Sequence, residues 1–241
     1  DAIVTGANNV AVGSSALGTN TSGASNVAIG STALNTNLGG SDNTAVGLGS
    51  LYSNTSGVKN IAIGHNAMYG NTDGGNNIGI GYQALYTQQS AGSNNCIGWK
   101  SGYLISTGAT NCALGNNTLD ALTSGNGNVA IGHDAGTAMV SAEYNVVIGY
   151  EAGTGLGDHD WNVFVGNAAF AGSYGERNVC IGRQAGKDNT NTNSCVFIGQ
   201  NAGMNLADGD DYRLFIARTD VDADNAGCWI KGSNAGSCYQ G

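Results

Sequence analysis

Tyr52, Tyr69, Tyr86 and Tyr103 stand 17 residues apart, and His65, Tyr82 and Trp99 keep the same interval in a second column. Aromatic side chains spaced this evenly along a polar chain can do two things. They can stack and fill a corner or a subunit interface, or they can present flat amphipathic surfaces to sugar rings. Tyr52, Tyr69, Tyr86, Tyr103, Tyr82 and Trp99 are therefore the candidate ligand-binding residues, and a glycan is the ligand they suit. The three histidines, His65, His133 and His159, fall in different columns or many residues apart. They cannot converge with an acid and a serine to make a triad. Acids lie mainly in loops with no paired column, which disfavours a polysaccharide-cleaving enzyme. No catalytic residue is assigned, and the chain reads as a non-enzyme.

Metal and cofactor chemistry is equally sparse. Asp220, Asp222 and Asp224 alternate as at the start of a calcium loop, but Asn225 and Lys231 stand where its glycine and closing glutamate belong. They are weak candidates, and no metal is expected. His159 between Asp158 and Asp160 reads as a solvated acidic loop. No Cys-x-x-Cys unit is present, which disfavours zinc. No Gly-x-Gly-x-x-Gly follows a strand and opens a helix, so nucleotide cradling has no support and no cofactor is expected. Of the six cysteines, Cys96, Cys112, Cys180 and Cys195 fall inside repeats and read as small buried residues. Only Cys228 and Cys238 are free of the repeat and able to pair.

What positions the aromatic columns is a five-residue word. It reads Asn-Val-Ala-Ile-Gly at 26–30, and returns as NVAVG, NTAVG, NIAIG, NIGIG, NNCIG, NCALG, NVAIG, NVVIG, NVFVG and NVCIG, with CVFIG at 195–199. The closing glycines advance by 17 residues each time except once, where the step is 16. A fixed period of this kind denotes stacked repeats that bury a shared core. Within one copy, Val27 and Ile29 alternate with Asn26, Ala28 and Gly30, the two-residue period of a strand. A column of Ala, Ser or Thr follows three residues later, then a polar turn such as Asn54-Thr55-Ser56-Gly57.

Each repeat is thus expected to hold a strand, a corner, a short weaker strand and a loop. That is one turn of a two-sided parallel β-solenoid of about twelve 17-residue coils, a rod roughly 60 Å long if coils rise about 4.8 Å. The Val and Ile columns, with Val27 and Ile29 as type, are expected inside the coil. The Ala and Gly columns are expected to admit another backbone. Asn26, Asn60 and Asn128 read as a ladder of amides holding the start of each strand, and Gly30, Gly64 and Gly132 as its corner. So thin a roll buries little alone, and closed cyclic association of identical chains is expected. Residues 1–8 form a partial leading coil, 9–206 the solenoid, and 207–241 a degenerate coil with a terminal cap or linker. Tyr212 to Ala217 is the degenerate thirteenth copy, and Cys228 to Gly232 one more short strand.

The chain has 41 glycines and no proline in 241 residues, 10% charged residues, and a net charge of -9. The acidity opposes phosphate-backbone binding, so nucleic acid is not an expected partner. No run of 18 apolar residues exists, and no membrane insertion is expected. The chain opens within its pattern and without Met, as a fragment or processed product would.

The repeated Asn-x-Ala-Ile-Gly words and the small-residue column behind them resemble the heads of trimeric autotransporter adhesins, which are parallel β-rolls assembled as trimers. The fuller pattern, Ile80-Gly-Tyr-Gln-Ala-Leu-Tyr86 with Asn-Thr-Ser-Gly turns, is closer to repeat arrays of phage tail fibres, especially those of cyanophages. There the array is often followed by segments similar to Tyr212–Ala217, Trp229–Gly232 and Cys238–Gly241, and then by a self-cleaving endosialidase-type chaperone domain. The resemblance implies a side-by-side homotrimer in a virion tail fibre, acting outside the cell. Its partners would be other tail or fibre proteins and a host surface receptor, most simply a glycan. The alternative it allows is a bacterial surface adhesin or extracellular filament subunit.

Overall fold

A computed structural model describes residues 5–172, 175–204, 211–217, 228–232 and 238–240. The chain divides into two compact units, Asp1–Asn126 and Gly127–Gly241. In the first, seven three-residue strands recur once per repeat: β1 (Val10–Val12), β2 (Val27–Ile29), β3 (Thr44–Val46), β4 (Ile61–Ile63), β5 (Ile78–Ile80), β6 (Asn95–Ile97) and β7 (Cys112–Leu114). Each pairs in parallel with the next, one full repeat along: Val27 opposes Thr44, Ala28 opposes Ala45, Ile29 opposes Val46. The second unit continues the plan with β8 (Val129–Ile131), β9 (Val146–Ile148), β10 (Val163–Val165), β11 (Val179–Ile181), β12 (Val196–Ile198) and β13 (Leu214–Ala217). The 16-residue step falls between β10 and β11 without loss of register, Val163 opposing Val179. β13 joins in parallel, then β14 (Cys228–Gly232) and β15 (Cys238–Gln240) add antiparallel. The fold is an all-β parallel solenoid of about twelve coils, with no helix among the described residues.

Two expectations need correction. The first is the second short strand. Behind each closing glycine the chain makes a continuous run of turns instead of extended backbone. Thr32 and Leu34, at φ 55° and 52°, sit in the left-handed region, and so do Asn66 and Met68, Gln83 and Leu85. Coils still bond to each other there, Leu34 N–H to Ser50 O at 2.9 Å and Thr36 N–H to Tyr52 O at 3.1 Å. A coil can therefore stack through turns as well as through strands, and the sequence alternation that marks a strand is not required.

The second correction concerns what faces inward. Ala28, Ala45 and Ala62 are fully buried, while Ile29, Ile61 and Ile63 are about two-fifths exposed. Val27 and Ile29 therefore point out of the coil, and the alanine between them points in. The interior explains why. Leu34 and Asn37 project into it from the turns, and both are fully buried. With a leucine and an amide filling each layer, the strand can contribute only a methyl group. Some later layers keep the volume by exchange. Where Cys96 replaces alanine, the leucine position becomes Gly102, and a β-carbon there would stand 2.6 Å from the Cys96 sulfur. Where Val147 takes the same place the partner is Gly153, and the layer is closed by buried Leu156. One layer departs from this exchange: Phe164 and Phe170 take both places, buried and stacked with centroids 4.5 Å apart.

The two cysteines outside the repeats lie on the last two strands. β14 and β15 set Gly232 against Cys238 and Ile230 against Gln240. In this register Cys228 stands four residues along β14 from the partner of Cys238.

Candidate functional site

The asparagine column binds the coils together. Asn43 donates from Nδ2 to Gly57 O at 2.8 Å, while its Oδ1 accepts the backbone N–H of Asn60 at 3.0 Å. Asn26 and Asn60 do the same with Gly40 and Gly74, and Asn128 with Ala142 in the second unit. The series ends at Cys195, whose N–H still donates to Asn178 Oδ1 at 3.0 Å. Each amide satisfies a buried carbonyl of its own coil and a buried N–H of the next.

A second amide ladder runs beside it, inside the stretch that reads in the sequence as a polar turn. Asn37, Asn54 and Asn71 each donate from Nδ2 to the Oδ1 of the preceding asparagine, at 2.7 to 2.8 Å, starting from Asn20. Gln88 occupies the next rung and breaks it. Its amide goes to Ala91 O at 2.6 Å, leaving Asn71 Oδ1 and Gln88 Oε1 buried without partners. The extra methylene pushes the amide past its acceptor. Gln88→Asn should restore the rung and raise stability by about 1 kcal/mol, read as a higher denaturation midpoint. No gain would show that the Gln88 side chain already satisfies the rung.

The aromatic candidates fall where the period puts them. Tyr52, Tyr69, Tyr86 and Tyr103 form one continuous stack, with centroids 4.9, 5.5 and 5.2 Å apart and planes within 15° of parallel. They are half-buried. Rings this close occupy one another's faces, and what is left for a glycan is the row of ring edges and hydroxyls. The second column is more open. Tyr82 and Trp99 are stacked at 6.3 Å, His65 meets Tyr82 edge-on at 5.4 Å, and Lys100 Nζ lies 4.6 Å from the Trp99 centroid and 5.2 Å from that of Tyr103. Lys100 thereby ties the two columns at the Trp99–Tyr103 end.

The structure adds a surface that was expected to be core. In the first unit, two outward columns run Val10, Val27, Thr44, Ile61, Ile78, Asn95, Cys112 and Val12, Ile29, Val46, Ile63, Ile80, Ile97, Leu114. Eleven of these fourteen side chains are aliphatic. Seven of them, Val10, Val12, Ile29, Ile61, Ile63, Ile97 and Leu114, are between 37% and 56% exposed, and a contiguous apolar face of this kind marks an interaction surface. The second unit repeats the face with Val129, Val146, Val163, Val179 and Val196 beside Ile131, Ile148, Val165, Ile181 and Ile198. No acid or base interrupts either set.

One more column escaped the sequence reading. The residue just before each asparagine lies in the left-handed region, and in the first unit Ser25, Asp42, Lys59, Asn76, Ser93 and Thr110 fill it. In the second unit it holds Tyr144, Trp161 and Arg177, at φ 56°, 58° and 58°. A change from small polar residues to aromatics at a fixed place in the period was the available signal.

Other candidates are structural or lie elsewhere. Asp158 Oδ1 accepts the N–H of Val140 and of Ser141, at 3.0 and 2.6 Å, and Asp160 Oδ1 accepts that of Glu143 at 2.7 Å. Both acids flanking His159 are thus bonded to the preceding coil. His133 Nδ1 is 2.9 Å from Asp134 and its ring stacks on Tyr150 at 5.5 Å. Cys96, Cys112, Cys180 and Cys195 are free thiols, and burial pushes the Cys96 and Cys180 thiols up from their ordinary range. Asp220, Asp222 and Asp224 lie outside the described residues. Among the described residues no three His, Cys, Asp or Glu gather as a metal site, and no helix is long and apolar enough to cross a membrane. Comparison with protein-family models, curated proteins and solved structures finds no match to this chain.

Proposed function

We propose that this chain is a self-associating structural shaft, a homotrimer packed through its Val and Ile columns, that carries multivalent attachment to a host cell surface. The observation behind this reading is the uncharged aliphatic face on the outside of the coils. Such a face is unstable in water by about 25 cal/mol per Å². Because it repeats coil by coil, its best complement is another copy of itself in parallel register. Closed cyclic symmetry would cover every such face and leave none to propagate. The loops and aromatic columns would stay at the surface, where three copies of a weak site gain avidity.

The resemblance of the repeats to phage tail fibres supports assigning the shaft to a virion, in company with other tail or fibre proteins and facing a glycan receptor. Measuring the native mass of the purified chain tests the assembly, with three times the monomer mass expected. A stable monomer at micromolar concentration would remove its basis. The gene's surroundings test the virion assignment. A self-cleaving chaperone encoded directly downstream supports it, whereas a secretion signal upstream and a membrane anchor downstream would transfer the shaft to a bacterial surface.

A further inference from the structure

The aromatic column of the second unit is costly and unexplained by the fold. Tyr144 and Trp161 adopt positive φ, which bulky side chains rarely tolerate. They gain little burial in return, remaining 54% and 48% exposed. Their rings are parallel within 6° but 6.5 Å apart, so they overlap only partly, as steps do. That separation lies toward the far end of the roughly 4.5–7 Å range of paired rings. The Arg177 guanidinium continues the steps, 4.9 Å from the Trp161 centroid, and is held by Glu176 at 3.5 Å. At the other end the Tyr144 ring lies on Gly127, where a β-carbon would come within 2.7 Å of it.

A carboxylate stands directly before each step, at Glu143, Asp160 and Glu176. Asp160 uses one oxygen on the N–H of Glu143 and keeps acceptor capacity on the other. The result is one flat group per coil, two half-exposed rings and a guanidinium, each preceded in the chain by a carboxylate. The two rings repeat at 6.5 Å, a spacing of the same order as one pyranose in an extended chain. Sugar rings stack their C–H faces on aromatics while their hydroxyls donate to carboxylates.

We infer that Tyr144, Trp161 and Arg177, with the carboxylates of Glu143, Asp160 and Glu176, form a ladder for an oligosaccharide of two or three uncharged or amine-bearing pyranoses. Sialylated or uronic-acid chains would be repelled by the acidic edge. This rests on the attachment reading above and gives it a site. A second copy of the chain is the competing occupant. It has less claim, since the Val and Ile face already offers the larger uncharged surface.

The test uses the paired variant Tyr144→Asn with Trp161→Asn. Asparagine tolerates positive φ and stands at this place in another coil as Asn76, so the variant should fold with unchanged or higher stability. The intact chain and the variant are compared on an array carrying cellotriose, chitotriose, chitosan trimer, lactose-based glycans and their sialylated forms. The intact chain should bind at least one uncharged or amine-bearing member, no sialylated one, and lose at least tenfold in the variant. Glu143→Gln with Asp160→Asn should weaken the same binding while the native mass stays constant. Equal binding by chain and variant, binding to none of the array, or preference for sialylated members overturns the ladder. So does a variant whose native mass falls, because the column is then part of the subunit contact. The native mass of the unaltered chain, measured separately, decides whether the assembly reading stands without the ladder.

Discussion

Gly47→Ala is expected to lower stability by about 4 kcal/mol, although it adds a single methyl group. Gly47 has φ 133°, outside the range of L-residues, and a β-carbon there would lie 2.5 Å from Gly64 O and 2.7 Å from its carbonyl carbon. Both atoms belong to the backbone of the next coil, which is fixed by Gly64 N–H bonding to Val46 O at 2.8 Å. Neither side can retreat without opening the stack. Because each coil is stabilised mainly by its neighbours, the damage should extend beyond one repeat. Gly39→Ala is the matched control. Its β-carbon would meet only Ser22 Oγ at 3.3 Å, and its effect should stay within about 0.5 kcal/mol. Thermal melts followed by far-ultraviolet circular dichroism make the comparison. Equal melting of Gly47→Ala and the unaltered chain would mean that the coils are not in contact at the closing glycines.

The second large effect is on assembly. Ile61→Asp combined with Ile63→Asp should convert the proposed trimer to folded monomer, weakening association at least 100-fold. In the free chain both side chains meet water, at 37% and 38% exposure, so two carboxylates there are solvated. In a contact they would be buried without partners, and charges so placed are expelled. Ile61→Thr separates charge from shape, since Thr44 already occupies that column one coil earlier and is compatible with the ladder. Native mass and circular dichroism are read together. A trimer that survives the double aspartate variant would place the subunit contact elsewhere, and an unfolded chain would show that the face packs within the chain after all.

The period of 17, read from the letters alone, establishes the number of coils, their parallel order and the vertical alignment of Tyr52 with Tyr69, Tyr86 and Tyr103. Any structure that stacks identical repeats must align identical positions, so this follows without coordinates. Which side of the strand faces inward is another matter. Alternation separates Val27 and Ile29 from Ala28 but does not say which set is buried. That depended on Leu34 and Asn37, whose entry into the same layer comes from turns with left-handed residues that no alternation marks. Once they fill the coil, only alanine fits opposite, and the large aliphatic residues are turned to the surface. The same tertiary fact places Asn54, read from the sequence as part of a polar turn, in a buried ladder, and leaves Tyr144 and Trp161 standing outside the coil. Repetition is written in one dimension, whereas the inside of a coil is a volume shared by residues from different parts of the repeat, and only the closed turn decides who occupies it.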